Sequence, residues 1–247
     1  IDRPGRPTPI LIQAGPGRTF DGPPSALRDL PEMASASSGA NLQVEFRRPD
    51  AEETKTIEGA VPPEAMKGMA AASDILALTV TVVDGGVNRP AGAAWALFKL
   101  GMGYSVQPGV DERALGVYRF GSWVFVGGRV DTASKMVYAP LRGSGRYRVM
   151  AYHKSFSDIA GHWAEDDVKL MASKQVARGM TEEEYRPEAV LTRAQFAALI
   201  QRALALPDAP EGVAQFEDVA EGDWFRSAVD AVAHAGIAQG YAGRFRP

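Results

Sequence analysis

Arg193 is the residue whose placement most invites chemistry. It sits in Leu191-Thr192-Arg193-Ala194-Gln195-Phe196, where Thr192 and Gln195 form the S/T-x-x-E/Q capping box of a helix. At the first helical position its charge faces the positive end of the helix dipole, so it does nothing for the helix. An exposed arginine beside free helix N–H groups suits a carboxylate or phosphate. The reading is an anion or acidic-glycan site, with a surface salt bridge as the plainer alternative. Trp163 and Trp224 open two corresponding helices. The plainer expectation for them is core packing with at least partial burial; a partly exposed tryptophan also stacks on a sugar ring. Asp158 and Asp218 read as helix-start caps or as acceptors for saccharide hydroxyls.

Other chemistry is scarce. His153, His162 and His234 form no H-x-x-x-H pair, and there is no G-x-S-x-G, P-loop or G-x-G-x-x-G pattern. Gly101-Met102-Gly103 and Gly127-Gly128 read as turn glycines. Glu165-Asp166-Asp167 and Glu182-Glu183-Glu184 are carboxylate runs, of the kind that hydrolyse glycosides or bind calcium. The stronger reading puts the first in an opening helical turn and the second in a solvated loop. The chain has 247 residues and no cysteine, which excludes disulfides, thiolate zinc sites and cysteine nucleophiles. No acid, base or nucleophile stands out, so the expectation is a non-enzyme with no catalytic residue, cofactor or metal.

Composition narrows the class further. Apolar residues make up 45% and charged residues 23%, ordinary for a globular chain. No apolar run approaches the roughly 18 residues of a membrane span. The net charge of −3 disfavours a nucleic-acid binder. Residues 156–247 hold 9 Lys+Arg against 15 Asp+Glu, whereas 1–155 hold 18 against 15. Two modules with different surfaces are expected.

The elements that position these residues repeat. Phe156-Ser157-Asp158 through Trp163 returns as Phe216-Glu217-Asp218 through Trp224. Val168, Met171 and Ala172 match Val229, Val232 and Ala233 on one helix face. Gly179 matches Gly240, and Tyr185-Arg186-Pro187 matches Phe245-Arg246-Pro247. The first copy continues into a second helix with a Leu191–Phe196 staple and an expected buried stripe of Phe196, Leu199, Ile200 and Ala203. The second copy stops at Pro247, before that helix, which reads as a fragment of a longer chain or as its ordered part alone.

Upstream, residues 1–23 are rich in Pro and Gly and read as a linker or isolated strand around Ile10-Leu11-Ile12. This strand is expected to pair within the chain or with a neighbouring sheet. Residues 24–36 look weakly helical. Leu42–Phe46 reads as a strand with which Thr54–Ile57 pairs, and Pro63–Met69 as a short helix. Strands are expected at 76–83, 95–99, 115–120, 123–126, 136–138 and 146–152, with a tight hairpin at Phe120-Gly121-Ser122-Trp123. The fold class is α+β. A β-rich, sandwich-like module over 24–154 precedes helical repeats over 155–207 and 208–247, the second incomplete.

Phe156-x-Asp158-x-x-x-x-Trp163, Gly179, Tyr185-x-Pro187 and Leu191-Thr192-Arg193-Ala194-Gln195 resemble the S-layer homology (SLH) domain, and the second copy follows to Pro247. The motif has Gln195 where the family has Glu. Met180–Glu184 replaces a glycine-rich loop with an acidic one, which opposes an anionic ligand. The resemblance implies an extracellular protein of the cell wall or S-layer. It implies binding to secondary cell-wall polysaccharide, acidic and in many members pyruvylated, and self-association in a lattice or fibre. Glycan-binding roles then fall to Arg193, Thr192, Asp158, Trp163, Asp218 and Trp224, with Arg193 as the carboxylate ligand. Residues 24–154 resemble, more faintly, β-rich spacer or assembly modules preceding such repeats, in Pro62-Pro63-Glu64-Ala65-Met66 and 115–131. The functional expectation is a non-catalytic structural surface protein. The alternative is the anchoring tail of a large secreted polysaccharide-degrading enzyme.

Overall fold

A computed structural model describes residues 10–13, 19–21, 40–90, 98–106, 108–121, 123–210 and 216–247. The chain divides into two compact units, Ile1–Tyr152 and His153–Pro247.

The first unit is a sandwich of two sheets. Its strands are β1 (Ile10–Gln13), β2 (Thr19–Asp21), β3 (Asn41–Arg47), β4 (Met69–Ala71), β5 (Leu76–Asp84), β6 (Val87–Pro90), β7 (Phe98–Gly103), β8 (Leu115–Arg119), β9 (Val124–Gly127), β10 (Arg129–Asp131), β11 (Met136–Pro140) and β12 (Gly145–Tyr152). The smaller sheet runs β1-β7-β11-β10; the larger runs β2-β3-β5-β12-β8-β9, with β4 on β12 and β6 on β5. Alternation in the strands sends Val44, Leu78, Val80, Val117 and Val149 inward from the larger sheet. Leu100, Met102, Val137 and Ala139 meet them from the smaller one. Burying branched side chains between two faces is the main stabilising term here. The stretch 1–23, expected as a linker or an isolated strand, contributes two paired strands. β1 pairs in parallel with β7, Ile10 opposite Phe98, so it takes the intramolecular option.

One expected strand is a helix. Thr54–Ile57 lies inside α1 (Ala51–Gly59) rather than beside β3. Its β-branched residues favour a strand by propensity. Asp50 overrides this by capping the helix, accepting the Glu53 N–H at 2.8 Å. Glu53 then ties α1 to the sheet through Arg47 at 2.6 Å and Arg146 at 3.1 Å. The helix expected over Pro63–Met69 is a 3-10 turn, Pro63–Met66. The hairpin at 120–123 joins β8 to β9, with Arg119 opposite Val124 and Trp123 at φ 52°. The helical reading of 24–36 lies outside the described residues.

The second unit holds α2 (Glu165–Ser173), α3 (Arg193–Ala203) and α4 (Arg226–His234). α2 and α4 are the first helices of the two repeats, and α3 is the second helix of the first. Val168 and Ala172 of α2 pack on Phe156 and Ile159. α3 packs on α4, burying Ala197 and Ala198 against Val219, Val229, Val232 and Phe245. The buried face of α3 therefore differs from the expected stripe. Phe196 is 49% exposed and Ala203 lies at the surface, while Ala194, Ala197 and Ala198 are buried. Alanine lets α4 approach closely, which larger side chains on that face would prevent.

Candidate functional site

The two repeats build the same local scaffold. Asp158 accepts the Tyr185 N–H at 2.9 Å on one carboxylate oxygen and the Arg186 N–H at 2.6 Å on the other. Asp218 does the same for Phe245 and Arg246, both at 2.8 Å. Arg186 and Arg246 both adopt left-handed backbone, φ 60° and 59°. That conformation turns their N–H groups toward the carboxylates, and the two bonds offset its strain. Gly179 and Gly240 let the loops close: an added Cβ would lie 2.4 Å from the Phe156 ring and 2.3 Å from the Phe216 ring. Phe156 packs on Tyr185 and Phe216 on Phe245, with ring centres 5.5 and 5.4 Å apart. Asp158 and Asp218 are thus first of all loop staples. The N–H bond from Tyr185, joined by that from Arg186, holds the Asp158 carboxyl below its usual range. Burial opposes this at Asp218, but the N–H bonds from Phe245 and Arg246 prevail and lower it too.

Thr192 and Gln195 form the expected capping box: Thr192 Oγ1 accepts the Gln195 N–H at 3.2 Å, and Gln195 Oε1 accepts the Thr192 N–H at 3.0 Å. Arg193 is not the free cation that its position suggests. Its Nε donates to the Phe245 carbonyl at 2.9 Å and Nη2 to the Gln239 carbonyl at 3.2 Å. It serves the second repeat rather than its own helix. Arg193 also lines a groove of about 250 Å³ with Ile237, Gln239 and Phe245.

The tryptophans are not core residues. Trp163 is 86% exposed and Trp224 65%. Trp163 leans on His162, whose Nδ1 accepts the Ala164 N–H at 3.1 Å and whose Nε2 meets Glu188 at 2.8 Å. His162 thus serves the start of α2. Trp224 sits edge-on to Phe225 and lines a cleft of about 690 Å³. The structure does not gather the expected residues in one place: Arg193 and Trp224 line different hollows. Arg178 and Arg202, which line the Trp224 cleft, escape sequence reasoning because nothing local links positions 24 residues apart. The acidic run is partly neutralised, Glu182 by Lys154 at 2.5 Å and Glu184 by Arg186 at 3.0 Å. Among the described residues, no cluster of His, Asp and Glu fits a metal ion, and no helix is long and apolar enough to cross a membrane.

The second unit is thus built of helical repeats, each with a stapled loop and an exposed tryptophan. The S-layer homology domain family matches residues 155–197 and 215–247. The chain is therefore an SLH-domain protein of the cell surface, located outside the cell at the wall. It is similar to an amylopullulanase of Thermoanaerobacterium thermosulfurigenes, 31% identical over 179 residues, 71% of this chain and 9% of that protein. That similarity is longer than the second unit and so extends into the β-rich one. An endo-1,4-beta-xylanase A of Thermoanaerobacterium saccharolyticum is 38% identical over 93 residues, 38% of this chain and 8% of that protein. The S-layer protein sap of Bacillus anthracis is 31% identical over 100 residues, 40% of this chain and 12% of that protein. The chain spans about a tenth of the length of these relatives. No solved structure matches it significantly. A cellulosome-anchoring protein of Acetivibrio thermocellus is 36% identical over 67 residues, 27% of this chain and 15% of that protein.

Proposed function

We propose that this chain is a non-catalytic wall anchor. Its repeats hold an acidic, in one form pyruvylated, secondary wall polysaccharide, and its β-rich unit acts as a spacer or assembly module. The observation that carries this reading is the pair of tryptophans, Trp163 and Trp224, exposed at equivalent places on SLH repeats. An exposed indole offers a flat apolar face on which a sugar ring can stack. In this reading Arg193 offers Nη1 to a carboxylate, while Thr192, Asp158 and Asp218 hold the surfaces that present it.

The test is sedimentation with purified cell wall. Wild-type protein should co-sediment, Trp163→Ala and Trp224→Ala should weaken it, and Arg193→Ala should weaken it most for walls bearing acidic polymer. Equal sedimentation by all four proteins overturns the site assignment. Self-association in a lattice or fibre belongs to the same proposal. Protein that stays monomeric at high concentration, with no ordered array by electron microscopy, removes that part.

A second reading is favoured by one observation. The similarity to the amylopullulanase runs through the repeats into the β-rich unit. This supports an anchoring tail of a secreted polysaccharide-degrading enzyme over a lattice subunit. The residues encoded before Ile1 distinguish the two: a glycoside-hydrolase domain there selects the tail.

A further inference from the structure

β1 is held by one neighbour. Among the described residues it pairs only with β7, in parallel, from Ile10 to Gln13. Parallel pairing is slightly weaker per residue than antiparallel pairing. Prolines bracket the strand in sequence, Pro4, Pro7 and Pro9 before it and Pro16 after, and proline donates no ladder hydrogen bond. Its place still has to be filled. Ile12 stands in register with Leu100, a fully buried core residue of β7. Without a strand there, one backbone edge of β7 would be bare and the core beside it open.

The next strand, β2, belongs to the other sheet, where it pairs with β3. Only Ala14-Gly15-Pro16-Gly17-Arg18 lies between the two strands. That length of chain reaches about 20 Å at full stretch, against about 10 Å between packed sheets. It is long enough to carry β1 to the β7 of its own chain, or straight on to the β7 of another. Register and backbone hydrogen bonds are the same in both arrangements, so the pairing itself favours neither.

We propose that β1 is an exchangeable strand, which leaves its own β7 and completes the β7 edge of a second copy of this chain. Donor strand and acceptor edge are different surfaces. Each copy therefore gives one strand and receives one, and copies join head to tail. Concentration sets the balance. A strand on a short link competes for its own site at an effective concentration of about 1 mM. Dilute protein stays closed on itself, the arrangement in the structure, and crowded protein exchanges. The inference rests on the self-association part of the wall-anchor reading, in which repeats that gather copies on a wall supply the crowding.

Single cysteines test it, because the chain has none of its own. Leu11 lies opposite Lys99 in the register, and paired strands, about 4.7–4.9 Å apart, are within disulfide reach. Leu11→Cys and Lys99→Cys are made as two separate 247-residue chains, mixed in urea, refolded together and oxidised. A bond between positions 11 and 99 then forms only across two chains. Mass spectrometry of proteolytic peptides should show this bond rising with concentration and dominating near about 1 mM. Leu11→Cys mixed with Val124→Cys, on the edge of the larger sheet opposite β2, should show no such rise. A second measurement uses the wild type. A synthetic peptide of residues 8–14, which fills the β7 edge with no chain attached, should reduce its oligomers to monomers in sedimentation velocity.

Absence of the 11–99 bond near that concentration, or wild-type oligomers that ignore the peptide, overturns the exchange. Oligomers or arrays that persist without the bond overturn the exchange and leave self-association standing. The bond in protein that forms no array by electron microscopy supports the exchange and removes the lattice.

Discussion

Arg193 lies over the ring of Phe245, its guanidinium carbon 4.7 Å from the ring centre, while its Nε donates to the carbonyl of the same residue. The first residue of α3 thus grips the penultimate turn of the second repeat, 52 positions away. Cation–π contact and a charge-assisted hydrogen bond act together there.

Removing that grip should loosen the second repeat before it unfolds the first. Arg193→Ala is expected to cost about 1–3 kcal/mol. Hydrogen exchange should speed up at the amides of 239–246, with smaller change in α2. Arg193→Lys should recover little, because an ammonium cannot reproduce the flat contact and the fork of donors. Uniform acceleration across both repeats would contradict this.

The staples at Asp158 and Asp218 should behave as twins. Each carboxylate satisfies two backbone N–H groups of a left-handed turn. Asp158→Ala and Asp218→Ala should each lower the melting temperature of the second unit by roughly 5 °C or more, by similar amounts. Asparagine, with one acceptor oxygen, should fall between. Scanning calorimetry of the four variants checks it.

Gly179 and Gly240 tolerate no side chain. In each, a Cβ would meet a phenylalanine ring and backbone oxygens, Thr181 O at 2.6 Å or Arg244 O at 2.7 Å. Alanine at either should cost about 2–3 kcal/mol by overpacking. Gly179→Ala should be the worse, since φ 80° adds backbone strain. Urea titrations of the two variants give the order directly.

Acid should attack α1 of the β-rich unit. Hydrogen bonds from Arg47 and Arg146 hold Glu53 down to about 2. An unfolded glutamate titrates near 4.3. A carboxylate with a lowered folded pKa stabilises above the unfolded value and loses that contribution as pH falls toward the folded one. Stability should therefore decline between about pH 4.3 and about 2. Glu53→Gln should start lower at neutral pH and decline less over that window. Melting curves across the range measure both.

Much of the second unit was legible because its signals are local. The capping box lies within four residues, and the Asp–aromatic–Arg spacing recurs in the next copy, so register alone exposes it. The buried face of α3 was misjudged because large apolar residues normally mark the core. Here close packing selects Ala194, Ala197 and Ala198 and turns Phe196 outward. Thr54–Ile57 misled through β-branched propensity, which Asp50 and the Arg47–Glu53–Arg146 ties override. The arginine cleft had no sequence signal, since Arg178, Arg202 and Trp224 meet only through folding.

β12 lies at the heart of the larger sheet, hydrogen-bonded to β5, β8 and β4, and its last residue, Tyr152, leads straight into the repeats. Tension reaching this unit from the repeats thus enters through a strand with three strand partners. At the other end β1 has, among the described residues, a single neighbour, β7. Under a pull along the chain the unit is a one-sided fuse: the margin near Ile10 is expected to tear away before the strands around β12.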